Sequence, residues 1–150
     1  MDVINFNFSS WIKYTLLTLV FLLSACGGGG GGGGSSTSQS ASIVGTWSFI
    51  YPSIQCTETY TFNSNNTFSA TSLDEIFGGT YTFTTQSNSS NRHDLSFTVT
   101  SDNQQFDCEG DNSNDVGLVI NIFAEFPSTT VMNWYLQSSG GTPAVTLNKQ

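Results

Sequence analysis

The sequence predicts an all-β fold, namely a small antiparallel up-and-down β-barrel of eight to nine strands. After Ser42 the chain consists of short runs in which apolar and polar residues alternate, as they do in half-buried strands. Thr, Tyr and Phe are frequent there, and they favour strands, whereas the best helix formers are scarce. Successive strands joined by short turns predict a meander, and closing it into a barrel removes its exposed edges.

Nine segments have this strand-like alternation, and turn-forming residues separate them. The predicted strands are 44–51, 55–62, 67–73, 79–85, 93–101, 104–109, 116–126, 130–137 and 144–148. The alternation gives most strands one aromatic face and one threonine face, so we expect the aromatic face to line the interior. Segment 116–126 is apolar on both faces. The interior positions that would contact a ligand are Trp47, Phe49, Glu58, Tyr60, Phe62, Tyr81, Phe83 and Phe97.

The charge of the chain restricts its partners. The 150 residues include 3 basic and 11 acidic side chains, which give a net charge of -8. A body of this sign repels phosphate backbones, so we expect no nucleic-acid partner. No Gly-x-Ser-x-Gly or His-Glu-x-x-His motif is present, and there is a single histidine. We therefore expect neither an enzyme nor a bound cofactor.

The amino-terminal part predicts export and a lipid anchor. Residues 1–25 have the parts of a secretory signal, with Lys13 before an apolar stretch at 14–23. Such a stretch is short for a transmembrane helix, which needs about 20 residues, although a retained helix is the alternative. Leu23-Ser24-Ala25-Cys26 resembles the lipobox of bacterial lipoproteins. The resemblance implies that Cys26 becomes the mature amino terminus and carries acyl chains such as palmitate; a free cysteine after an ordinary signal is the alternative.

Three parts of the chain follow from this interpretation: a signal peptide at 1–25, a lipidated Gly/Ser-rich tether at 26–42 and a β-barrel domain at 43–150. By the lipoprotein-sorting resemblance, Gly27 after Cys26 indicates the outer membrane of a bacterial cell envelope. The domain would face the periplasm or the outside. Its membrane contact would be the lipid on Cys26.

Two cysteines remain for the domain. Cys56 and Cys108 would lie in an oxidising compartment, so a disulfide between them is expected, with two buried free thiols as the alternative. Four carboxylates stand close together at Asp107, Glu109, Asp111 and Asp115. Calcium takes about six to eight oxygen ligands, and alternate positions of such a loop could supply them. The order of the residues does not fit the EF-hand pattern, so the alternatives are a solvated turn and a cation site.

Glu58 is the unusual carboxylate, because the alternation places it on the aromatic face beside Tyr60. A charge in that position must be paired, hydrogen-bonded or near an open end of the barrel. Glu58 would therefore either orient a polar group of a ligand or lie at the barrel mouth.

Gly45-Thr46-Trp47 is similar to the Gly-x-Trp signature of lipocalins and the wider calycin group. Segments 59–68 and 79–81 resemble the corresponding strands of bacterial lipocalin-like lipoproteins. The resemblance implies a barrel closed at its base by Trp47 and open at the other end to a small apolar ligand. It also implies a late basic residue packed on that tryptophan, for which Lys149 is the candidate.

Three hypotheses for function follow. In the first, the domain binds a small apolar ligand in the cell envelope. In the second, its own side chains fill the barrel, as in many small barrels, and the chain is a structural module or binds an envelope protein through its surface. The third is a calcium-dependent adhesin-like module.

Overall fold

The computed structural model describes residues 42–84 and 91–150 of the chain. The predicted signal peptide, Cys26 and the tether as far as residue 41 lie outside the described residues. In the part of the chain that the structure describes, no helix is long and apolar enough to cross a bilayer.

Eight strands form a closed antiparallel barrel in which each strand pairs with its neighbours in the sequence. They are β1 (Gly45–Tyr51), β2 (Cys56–Phe62), β3 (Thr67–Ser72), β4 (Glu75–Thr84), β5 (His93–Asp102), β6 (Val119–Ser128), β7 (Val131–Tyr135) and β8 (Val145–Lys149). The barrel closes where β1 pairs with β8, with Trp47 opposite Lys149 and Ser48 opposite Asn148. The predicted all-β, up-and-down barrel is therefore confirmed.

The predicted strand at 104–109 is wrong, because this segment lies in the loop between β5 and β6. Gln104 has a positive φ of 56°, which ends the extended backbone of β5. Asp102 Oδ1 accepts the backbone N–H of Gln104 at 2.6 Å, and Asn103 Oδ1 accepts that of Gln105 at 3.2 Å. These side-chain bonds favour a turn over a strand.

β4 begins at Glu75, four residues before the predicted start at Gly79. The extended backbone passes through Gly78 and Gly79 without a break. A two-residue turn brings Glu75 opposite Ser72. Gly78 pairs with Ser101 and Gly79 with Val99, so β5 has a bulge at this point. A Cβ atom on Gly79 would lie 1.9 Å from the backbone oxygen of Thr98. Glycine is needed here because the two backbones approach so closely.

The base of the barrel is built around Trp47, which is fully buried. Its Nε1–H donates to the backbone oxygen of Ile43 at 2.7 Å. The Lys149 ammonium lies over the indole, 5.1 Å from the ring centre, and donates to the backbone oxygen of Val44. Gly45 has a φ of +132°, and a Cβ there would lie 2.8 Å from Lys149 Cε. Glycine therefore leaves the space that the lysine occupies.

The core lies inside the barrel, where one face of every strand is buried. The largest side chains with under 2 % exposure are Trp47, Phe62, Leu95, Met132, Leu147, Val99 and Ser72. In the two-sided apolar segment, Ile122 and Ala124 face inward, whereas Val119 is 53 % exposed. The second face of this segment is therefore only partly covered.

Candidate functional site

The middle of the barrel contains a cluster of aromatic rings centred on Tyr60. Its ring centre lies 4.9 Å from that of Trp134 and 6.4 Å from that of Phe97. Phe97 also lies 5.7 Å from Phe62 and 5.2 Å from Phe68. These separations are those of aromatic rings in direct contact. The predicted interior residues Tyr60, Phe62 and Phe97 thus pack on one another.

Tyr81 extends this cluster toward the turn between β2 and β3. Its ring lies edge-on to Phe62 at 5.1 Å, and its hydroxyl donates to the backbone oxygen of Asn63 at 2.8 Å. Burial raises the pKa of the Tyr81 phenol. The hydroxyl is therefore a fixed donor that ties the β2–β3 turn to β4.

A second ring cluster occupies the base, beside Trp47. Phe126 lies edge-on to Trp47 at 5.8 Å and to Phe83 at 6.0 Å. His93 stands between Phe83, at 5.1 Å, and Phe126, at 5.9 Å. Burial lowers the pKa of His93, so the imidazole is neutral near pH 7. The predicted Trp47 and Phe83 belong to this cluster and not to the central one.

Glu58 lies inside the barrel, 8 % exposed, where three hydroxyl groups donate to its carboxylate. Oε1 accepts from Ser72 Oγ at 2.8 Å and from the Tyr51 hydroxyl at 3.2 Å. Oε2 accepts from the Tyr60 hydroxyl at 3.0 Å. Burial raises the pKa of Glu58, and the three hydrogen bonds act against that shift. Both oxygens of the carboxyl group are thus engaged by side chains of the barrel itself.

Phe49 lies next to this group, since its ring centre is 4.8 Å from that of Tyr51. The remaining predicted interior position is therefore on the inner wall near Glu58. Burial, and next the charge of Glu58, also raise the pKa of the Tyr60 phenol well above its usual value. Tyr60 remains a hydrogen-bond donor to Glu58 over the whole physiological range.

The predicted disulfide is confirmed, and it holds the β5–β6 loop against the barrel. Cys56, the first residue of β2, is bonded to Cys108 in that loop, with a Cα–Cα distance of 5.7 Å. The backbone N–H of Cys108 donates to Ser72 Oγ at 3.0 Å. Ser72 thus links the loop to Glu58.

Two of the four predicted cation residues, Asp107 and Asp111, accept hydrogen bonds from the backbone of the acidic loop itself. Asp107 Oδ1 accepts the backbone N–H groups of Glu109 and Asp111, at 2.8 and 2.7 Å. Asp111 accepts from the backbone and hydroxyl of Ser113, and these bonds lower the pKa of Asp111. Glu109 is exposed. These residues form a self-capped turn, and the structure does not gather all four carboxylates at one point.

The fourth residue of that set, Asp115, lies in another acidic cluster. Its carboxylate and those of Glu75 and Asp102 have oxygen atoms within 4.8 Å of one another. Glu75 is 7 % exposed. Burial, followed by the charge of Asp102, raises the pKa of Glu75 to about 8 and also raises that of Asp115. We call these three residues the acidic triad.

Sequence reasoning missed Trp134 as an interior residue and Glu75 and Asp102 as cluster members. Met132 and Trp134 share an alternating face, but nothing local shows which face is inside. A signal for Glu75 did exist, because a two-residue turn after the inward series Phe68, Ala70 and Ser72 places it on the same face. Asp102 depends on the bulge in β5, which the sequence does not reveal.

Comparisons of the chain with protein-family models, with curated proteins and with solved structures find no significant match.

Proposed function

We propose that the chain is a lipid-anchored lipoprotein of the bacterial cell envelope, with a lipocalin-like barrel that is filled by its own side chains and binds an envelope protein through its surface. The contacts among the aromatic rings around Tyr60 carry this proposal. A carrier needs a cavity of a few hundred Å³, and the direct contacts among these rings leave less room for one inside the barrel.

The lipocalin-like part of the proposal is supported by the base of the barrel. The Gly45-Thr46-Trp47 segment begins β1, and Lys149 lies over Trp47 as the resemblance implies. Gly45 has a physical role in this arrangement, because a side chain there would meet Lys149. The sequence signature and the late basic residue thus act as one unit.

The proposed binding surface is the disulfide end of the barrel, defined by residues 52–55, 73–74, 103–118 and 136–144. In an up-and-down barrel these alternate connections lie at the same end. Four apolar side chains in them are more than half exposed, namely Ile54, Leu73, Phe106 and Val116. Exposed apolar groups at loop tips favour contact with another protein.

Photocrosslinking in intact cells tests the surface. Phe106 is replaced by the photoreactive residue benzoylphenylalanine, and Ser64, which is exposed in the β2–β3 turn at the opposite end, is the matched control position. We expect adducts with one envelope protein from position 106 and not from position 64. Adducts confined to the chain itself, or equal adducts from both positions, would contradict the proposal.

A small apolar ligand inside the barrel is the second candidate, and the buried indole of Trp134 favours it. Trp134 Nε1 has no hydrogen-bond partner among residues 42–84 and 91–150, although it is fully buried. A ligand carbonyl beside Tyr60 would supply the missing acceptor. Native mass spectrometry of the full chain in detergent separates the two candidates. A bound molecule that is lost in Trp134→Phe favours the carrier, and unliganded chain favours the filled barrel.

The lipid anchor has its own test. Metabolic labelling with palmitate should mark the full chain, and Cys26→Ala should remove both the label and the recovery of the chain with membranes. Cys26 has a matched control in Ser24→Ala, which keeps a small residue before the cleavage site. An unlabelled wild-type chain would contradict this part of the proposal.

A further inference from the structure

The acidic triad joins three separate segments of the disulfide end. Glu75 begins β4, Asp102 ends β5, and Asp115 lies in the loop before β6. Their carboxylate oxygens lie within 4.8 Å of one another. Like charges at this separation repel each other, and the repulsion grows as the groups are removed from water.

Glu75 is the member whose environment is incomplete. The residue is 7 % exposed, and its carboxylate has neither a hydrogen-bond donor nor an ion-pair partner among the described residues. Its oxygens are not among the fully buried unpaired atoms, so they face the side from which an ion would arrive. The two basic side chains in this part of the chain are engaged elsewhere, since Arg92 lies 3.9 Å from Glu125 and Lys149 contacts Val44. A carboxylate so far removed from water is costly while it is charged and unpaired, and a bound cation would offset that cost.

Asp102 is held in place by the backbone around it. Its Oδ2 accepts the N–H of Asp115 at 2.7 Å, and its Oδ1 accepts the N–H of Gln104 at 2.6 Å. Each oxygen keeps a second lone pair for another contact. The Asp115 carboxylate accepts no hydrogen bond from the described residues. The backbone thus orients Asp102 and carries Asp115 to the same point.

We propose that Glu75, Asp102 and Asp115 bind a divalent cation, with calcium as the ion that fits them best. All three groups are hard oxygen donors. Calcium binds oxygen ligands at about 2.3 to 2.6 Å in flexible geometry, and the triad brings one oxygen from each of three segments within 4.8 Å of the others. Magnesium demands near-ideal octahedral geometry and loses its water reluctantly, so three carboxylates from separate segments suit calcium better.

Cation binding would tie the β5–β6 loop to β4 and β5 at a second point, besides the disulfide. The loop that carries Asp115 also carries Phe106 and Val116, which are exposed. Calcium would therefore fix the part of the disulfide end that presents these apolar side chains. This inference needs neither the lipid anchor nor a protein partner, so it stands or falls separately from the proposed function.

The test measures calcium binding by the purified full chain with its disulfide formed. The chain is first treated with a chelator and then titrated with calcium, and separately with magnesium, in an isothermal calorimeter. Thermal unfolding is followed with chelator and with each ion. Glu75→Gln removes one ligand charge, and Glu109→Gln removes one charge from the same end of the barrel outside the triad.

We expect one calcium ion per chain, and saturating calcium should raise the melting temperature by about 5 to 10 °C. Glu75→Gln should weaken calcium binding roughly tenfold or more and, in chelator, should melt at a higher temperature because repulsion is relieved. Glu109→Gln should bind calcium like the wild type. An absence of calcium binding, equal stabilisation by magnesium, or a loss of binding in Glu109→Gln but not in Glu75→Gln would overturn the proposal.

Discussion

The ammonium of Lys149 lies 5.1 Å from the ring centre of Trp47, across the seam where the last strand of the barrel meets the first. The two residues pair in register, and their side chains meet at the base of the barrel. The contact combines an attraction between a cation and an aromatic ring with a hydrogen bond to Val44. It fastens the seam where the strands are most distant in sequence.

Replacing Lys149 with methionine should therefore destabilise the barrel although it keeps most of the apolar stem. We expect the free energy of unfolding to fall by about 1 kcal/mol. Asn148→Ala, at the neighbouring exposed position, is the control and should change it by less than about 0.5 kcal/mol. Urea unfolding of Lys149→Met, of Trp47→Phe and of the variant that combines them measures the coupling between the two side chains. Asn148→Ala is measured beside them. Additive effects would show that the two side chains do not interact.

Replacing Gly79 with alanine should be far more harmful than replacing Gly110. The new Cβ at position 79 would lie 1.9 Å from the Thr98 oxygen, and backbone atoms cannot move aside cheaply. We expect a loss of about 3 kcal/mol in the free energy of unfolding. Gly110 has a φ of +82° with no atom near its added Cβ, so only backbone strain of about 1 kcal/mol is expected. Equal losses in urea unfolding would contradict the close approach of β4 and β5.

Glu58 should make the barrel less stable as the pH rises. Its pKa is higher in the folded chain than the ordinary value of 4.5, so the folded state binds more protons. The stabilisation is complete below that ordinary value and is lost as the pH rises through the folded pKa. Glu58→Gln does not titrate, so its free energy of unfolding should fall less between pH 4.5 and pH 8.

Glu75 and Asp115 shift in the same direction and remain in that variant, so part of the dependence should persist. The measurement is urea unfolding across the pH range for both proteins. Parallel curves for wild type and Glu58→Gln would show that Glu58 does not carry the effect.

Removing the disulfide should cost more than any of these single changes. Cys56 and Cys108 are 52 residues apart, and closing a loop of that length stabilises a protein by about 4 kcal/mol in the chain-entropy model. The double variant Cys56→Ala and Cys108→Ala should lose about this amount in urea unfolding. Wild-type chain treated with a reductant serves as the comparison. A loss below 1 kcal/mol would mean that Ser72 and the loop contacts hold the segment without the bond.

The alternation of apolar and polar residues was sufficient to predict most strands. It failed where side-chain hydrogen bonds or a neighbouring strand determine where a strand begins or ends. Alternation placed Trp47, Glu58 and Phe97 inside correctly. It predicted a strand at 104–109 because alternation contains no information about side-chain hydrogen bonds. Asp102 and Asn103 accept hydrogen bonds from the backbone two residues later, and these bonds form a turn. It began the fourth strand at Gly79, whereas the strand begins at Glu75 and passes through Gly79, where the close backbone of β5 requires glycine.

The sites were less predictable than the fold, because they depend on contacts between distant segments. The disulfide followed from two cysteines and an expected compartment. The acidic triad needed the register of β4 on β5 and the path of a long loop, so only Asp115 was identified in advance.

The seam between β1 and β8 also constrains how the barrel folds. Ser48 pairs with Asn148, so the hydrogen bonds that close the sheet join residues a hundred positions apart. Such non-local pairing slows folding, because a long segment must be ordered before the contact forms. Until β8 arrives, β1 has an unpaired edge that can pair with another chain. The same holds for the edge of β7, which β8 also covers, so both edges are open to misassembly until the last strand is in place.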